Sequence, residues 1–190
     1  DAEHNRNRGI DSVIRGTGGL PIDEADQQRI KVHLTKAIEF QTKGQDSLAA
    51  SDLDIAREIG FSHPALHFDL GMLMVGQNND KAYASLEKAA RDPSYAMAAY
   101  LLLGKAHFEQ QSYTPAGVYF MKALSLADAA IVPVQQREEI LQAYTTVIET
   151  QAKQTDEKAL KGFCETMCSQ LLREDWREAL TKARQQLPEQ

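Results

Sequence analysis

Cysteine is nearly absent from this chain, and so are most of the features that announce chemistry. Two cysteines in 190 residues are too few for a disulfide scaffold. No apolar run approaches the about 18 residues that a membrane-spanning helix needs. Basic residues are outnumbered, 21 Lys and Arg against 27 Asp and Glu, for a net charge of −6. With no basic stripe on any predicted helix, this argues against a nucleic-acid binder. Arg6, Arg8 and Arg15 form a local cluster, but Asp1, Glu3 and Asp11 dilute it.

Catalytic and metal motifs are missing as well. Gly16-Thr17-Gly18-Gly19 lacks the Lys-Ser/Thr that completes a phosphate loop, and reads as a flexible linker. His63 and His67 are four apart, but Pro64 stands where a zinc-protease helix needs Glu. Cys164 and Cys168 lie one helical turn apart, a geometry that does not favour a disulfide. A metal there would need two further ligands. Their neighbours Phe163, Met167, Leu171 and Leu172 point to burial, with a redox or metal role as the alternative. Acidic pairs such as Glu138-Glu139 read as solvated helix surface. No nucleophile–base pair has supporting spacing, so the expectation is no enzyme, no cofactor and no metal.

What is present is a degenerate repeat. Ala49, Leu53 and Ala56 recur as Ala82, Leu86 and Ala89, and again as Ala116, Phe120 and Ala123, at steps of 33 and then 34. Upstream of each trio sits one more small residue: Ala37, Gly71 and Gly104. A period of this length marks a stacked helical array. Glycine inside a helix costs about 1 kcal/mol against alanine, so Gly71 and Gly104 predict close helix packing that outweighs the penalty.

Caps and breakers divide the chain. Residues 1–22 read as an arm or linker, with the stretch from Ile10 to Ile14 able to dock on the body. Asp23 reads as an N-cap, opening a first helix that Gly44 stops. A second helix runs from about Asp46 to Ile59. Pro64 suits the first turn of a third, which ends near Gly76. The fourth runs to Arg91, and the fifth and sixth fall near 95–110 and 114–128. Beyond Pro133 the register fades into a divergent hairpin over 133–173. Its second helix carries Ala159, Phe163 and Met167 at the earlier second-helix spacing. Residues 175–187, with Trp176, Ala179, Leu180 and Ala183 on one face, have the profile of a capping helix.

The pattern resembles the tetratricopeptide repeat. Leu70-Gly71 and Leu103-Gly104 match the Leu-Gly pair of that family's first helix. Phe40, Met74 and His107 fill its aromatic slot, and Tyr113 matches the aromatic that opens its second helix. The likeness covers roughly residues 30–128, as repeats over about 30–63, 64–96 and 97–130. It implies an all-α fold: a right-handed solenoid of antiparallel helix pairs over 23–187, closed by the capping helix.

The resemblance also implies where a ligand binds. In the family, first helices line a concave groove. Carried over by position, the lining is Leu34 and Ile38; Phe68, Met72 and Val75; and Leu101, Lys105, Phe108 and Glu109. The chaperone-adaptor subclass grips carboxylates with basic and amide residues at five positions. Those positions hold Leu34, Ile38, Asp69, Ala98 and Leu102 here, so such a clamp is not expected. An apolar lining of this kind suits an amphipathic helix or an extended apolar peptide of a partner. The function expected is a protein–protein interaction scaffold or adaptor. The alternative is a self-association or assembly module of a larger protein, its groove filled by its own chain, either the N-terminal arm or the seventh helix. Expected partners are therefore a protein or peptide or further copies of the chain, without nucleic acid or membrane insertion. A first residue that is Asp rather than Met fits either a piece of a longer protein or a mature form after leader removal. The cytoplasm is favoured, with the periplasm open to a processed form.

Overall fold

The computed structural model describes residues 9, 10, 14, 22–77 and 80–171. The predicted capping helix at 175–187 and most of the predicted arm lie outside them. Among the described residues, eight α-helices of ten residues or more follow one another without a strand. They are α1 (Glu24–Thr42), α2 (Asp46–Ile59), α3 (Pro64–Met74), α4 (Asp80–Ala89), α5 (Ala96–Glu109), α6 (Tyr113–Ile131), α7 (Arg137–Ala152) and α8 (Glu157–Leu171). Short 3-10 turns, Val75–Gln77 and Val134–Gln136, follow α3 and precede α7. The chain divides into two compact units, Asp1–Ala89 and Ala90–Gln190.

Local chemistry sets the boundaries. The Asp23 carboxylate accepts from the Asp26 amide at 2.8 Å and caps α1. Gly60, at φ +119°, ends α2 in the left-handed conformation, and the next amide, Phe61, donates back to the Ala56 carbonyl. Pro64 opens α3, where its missing N–H costs nothing. The turns after α1 and α5 share one design. Gln45 donates to the Phe40 carbonyl and Ser112 to the His107 carbonyl, each at 2.9 Å. The left-handed residue is Gly44 in one and Gln111, at φ +60°, in the other.

Within each unit, consecutive helices pack on each other: α1 on α2, α2 on α3 and α3 on α4, then α5 on α6 and α6 on α7, with α8 against α6 and α5. Side chains tie the paired helices together. His33 Nδ1 lies 2.7 Å from Asp52 Oδ1, and Tyr100 and His107 both stack on Tyr119.

Every residue of the three repeated trios is buried. The glycines explain why the pairs sit so close. A Cβ added at Gly71 would fall 2.5 Å from Leu86 Cγ, and one at Gly104 2.7 Å from the Phe120 ring. In each hairpin the first-helix glycine thus faces the large residue of the following trio, which is the same contact made twice, one repeat apart.

The N-terminal unit buries Ile30, Leu34, Leu53, Phe61, Leu66 and Leu70, with Ile10 and Ile14 in the same cluster. The C-terminal unit buries Phe120, Met121, Leu124, Tyr144, Cys164 and Met167. The fully buried Asp128 of α6 accepts a hydrogen bond from Tyr144 Oη of α7 at 3.3 Å, which offsets part of its desolvation. On α8 the buried face carries Leu160, Cys164 and Met167, while Ala159 is exposed. The spacing predicted from Ala159, Phe163 and Met167 is thus rotated by one position at its start.

Candidate functional site

The predicted groove residues separate by unit. In the N-terminal unit, Leu34 is a core residue at 9% exposure, not a surface one. Ile38 is half-buried against the same core. Phe68 is half-buried, and Met72 is 42% exposed on α3. Val75 lies in the 3-10 turn rather than in the helix. In the C-terminal unit, Leu101 and Phe108 pack against the core cluster that contains Cys164 and Met167 of α8. Lys105 and Glu109 stay exposed and face each other at 3.8 Å along α5, a surface pair of small energetic weight.

Ile10 and Ile14 belong to the same core cluster as Leu34. The cluster that Leu101 and Phe108 pack against includes Tyr144 and Val147 of α7 as well as Cys164 and Met167 of α8. Burial raises the Cys168 thiol, and the Lys105 and Glu109 charges act on it in opposite senses. Cys164 is buried, its Sγ 3.4 Å from the Tyr113 carbonyl, and burial pushes its thiol up to about 12. Such a thiol stays protonated near neutral pH and is a poor nucleophile or metal ligand. Among the described residues no group of three or more His, Cys, Asp or Glu side chains could hold a metal ion.

A cavity of about 290 Å3 lies within the N-terminal unit. Its walls come from α1 (Leu34, Ile38), α2 (Leu53), the Phe61–His63 segment, α3 (Ala65, Leu66) and the arm (Gly9, Ile10). Two polar residues, Gln41 and Asp69, complete the lining. Gln41 Nε2 donates to Asp69 Oδ2 at 3.0 Å. Burial raises the Asp69 carboxyl above its ordinary range, and the Gln41 bond opposes that shift. His63 accepts the Ala65 amide through Nδ1 at 3.1 Å, and its ring lies parallel to Phe61, 4° between planes.

His67, on α3, is a structural residue. Ser62 Oγ lies 3.1 Å from its Nε2, and its buried Nδ1 has no hydrogen-bond partner. Burial, reinforced by Lys88, Arg57 and His63, lowers its pKa. The unfolded chain then binds a proton more readily than the fold does, so this contribution is intact above about pH 6.5 and declines as pH falls below it. His67→Leu removes the unmatched nitrogen, and is expected to hold or raise stability by about 1 kcal/mol at pH 7. The gain should widen at pH 5, and denaturant melts at the two values check it. A variant less stable at both would show that the ring's packing matters more than its unmatched nitrogen.

Sequence reasoning missed three features: the cavity, the Asp128–Tyr144 pair and an aromatic stack on α5 and α6. In the stack, Tyr100 and His107 flank Tyr119, with Lys122 Nζ 5.4 Å from the centroids of both tyrosines. The stack was legible in part, since Tyr100 and His107 are seven apart on one helix face. A cleft of about 500 Å3 lies between the α5–α6 and α7–α8 turns. Glu157 already stands in the first turn of α8 there, which leaves that positive helix end little use for an anion. No protein-family model, no curated protein and no solved structure matches this chain. None of its helices, among the described residues, is long and apolar enough to cross a membrane.

Proposed function

We propose that this protein is a tetratricopeptide-like interaction scaffold, which takes an apolar segment of a partner protein on the α1–α3 side of its N-terminal unit. The cavity beside Leu34, Ile38 and Leu66 carries this reading. It is a concave apolar hole with a few polar groups at its edge, the usual form of a binding site. The repeated glycine contacts support the repeat assignment, because both hairpins use the same close approach. A chaperone-type carboxylate clamp does not suit the site: Leu34 and Ile38 are apolar, and Asp69 would repel an anionic terminus.

A second reading has its own observation. Ile10 and Ile14 are buried on the α1–α3 core, and Leu101 and Phe108 pack against a cluster that includes α8. A module with its first-helix faces covered in this way would assemble through other surfaces, including copies of itself.

A photo-crosslinking amino acid at Ala65, on the cavity wall, separates the two. Crosslinks in source cells to one other protein, with sedimentation showing a monomer across a concentration series, are the result expected of a scaffold. Crosslinks only between copies, with mass rising with concentration, would overturn the scaffold in favour of self-assembly.

A further inference from the structure

The cavity of the N-terminal unit has a chemical character beyond being apolar. We propose that it is a recognition site for a flat apolar group bearing a cationic head, with Asp69 as the counter-charge and the Phe61–His63 pair as the stacking wall. The inference rests on reading the α1–α3 side as a binding face, and names what that face selects.

Size comes first. An apolar cavity of about 150 Å3 takes a benzene ring. At about 290 Å3, this one has room for a bicyclic ring of tryptophan size. Shape agrees: the half-buried His63 ring lines the cavity, nearly parallel to the buried Phe61 ring with centroids 6.3 Å apart. Aromatic guests prefer such faces, offset or edge-on.

Charge supplies the selectivity. Asp69 is the one acidic residue among the described residues of the lining. Gln41 is its hydrogen-bond partner, through Oδ2 alone, and no described basic side chain forms an ion pair with it. A carboxylate can accept several hydrogen bonds on its two oxygens, so Asp69 retains capacity for an ammonium or guanidinium donor. Its partial burial makes the uncompensated carboxylate unfavourable, as its raised pKa records. A cationic guest would relieve that cost, and a charge-assisted hydrogen bond in a sheltered site is among the stronger ones. His63 has committed Nδ1 as an acceptor, so in the neutral ring the proton sits on Nε2. In a partner protein, the matching feature is a large aromatic side chain beside Lys, Arg or a free amino terminus.

Three indoles test this on the isolated protein, independently of any partner: tryptamine as the amine, 3-ethylindole as the neutral analogue and indole-3-propionate as the anion. Affinities come from titration calorimetry or amide shifts at pH 7. Tryptamine should bind about tenfold more tightly than 3-ethylindole, and indole-3-propionate more weakly than either. Asp69→Asn, which keeps an acceptor for Gln41, should bring tryptamine to the level of 3-ethylindole. Ala65→Trp, which fills the cavity from its wall, should abolish binding of all three while the melt stays cooperative. Equal binding of the three indoles, an amine preference that survives in Asp69→Asn, or no saturable binding would each overturn the proposal. Loss of the amine preference with partner crosslinks at Ala65 intact would remove the charge rule alone. Loss of both would remove the binding face.

Discussion

Replacing Phe120 with alanine is expected to destabilise the C-terminal unit by about 3–5 kcal/mol, the upper range for a buried aromatic. The ring is 1% exposed and belongs to the cluster built with Met121, Leu124, Tyr144 and Met167. Its truncation removes apolar burial and leaves a void that Gly104, with no side chain, cannot fill. Chemical denaturation with a shifted midpoint and an unchanged slope would measure the loss. A change below about 1 kcal/mol would mean that the helices close over the gap, and that the large-against-glycine contact does not set their spacing.

The converse substitution, Gly104→Leu, is expected to cost about 1–3 kcal/mol through overpacking, despite a gain of about 1 kcal/mol in helix propensity. The reason is local: the new Cβ would meet two Phe120 ring carbons at 2.7 Å, and a buried ring cannot swing aside as a flexible chain end would. The two changes should therefore compensate. In a Phe120→Ala background, Gly104→Leu should cost less than it does alone, or stabilise, and the double-mutant cycle should return a coupling of at least about 1 kcal/mol. Simple additivity would break the proposed link between the glycine and the ring.

These positions were legible in the sequence because the constraint repeats. A small residue that recurs with a large partner one helix later records a contact without any structure. Helix ends were legible where one side chain or one φ decides them, as at Asp23, Gly60 and Pro64. The face of α8 was not. Leu160, Phe163, Cys164 and Met167 form a broad apolar stripe, and a repeat register extended past its last clear instance cannot say which edge of that stripe turns inward. Periodicity likewise gives a face but not its partner. Leu34 was legible as apolar on a first helix, and its place in a cluster with Leu53, Phe61, Leu66 and Ile10 makes it core. The cavity arises where Gly9 and Ile10 meet residues more than fifty positions later on α3, so no local pattern announces it. Asp69 was visible as an acid at a family clamp position. What it does instead depends on Gln41 and on burial, and neither is written in the local sequence.

The succession of neighbour-to-neighbour helix contacts bears on how the chain reaches this state. Most packing joins helices adjacent in sequence, and the entropy of loop closure rises with the length of chain enclosed. Hairpins such as α3–α4 and α5–α6 enclose short loops, so topology places this fold among those that form quickly. Two attachments enclose more: Ile10 onto the core that holds Leu66 and Leu70, and Cys164 onto the Tyr113 carbonyl, 51 residues apart. Both join a peripheral segment to hairpins closed by shorter loops, so loop-closure entropy favours the hairpins ahead of the Ile10 and Cys164 contacts.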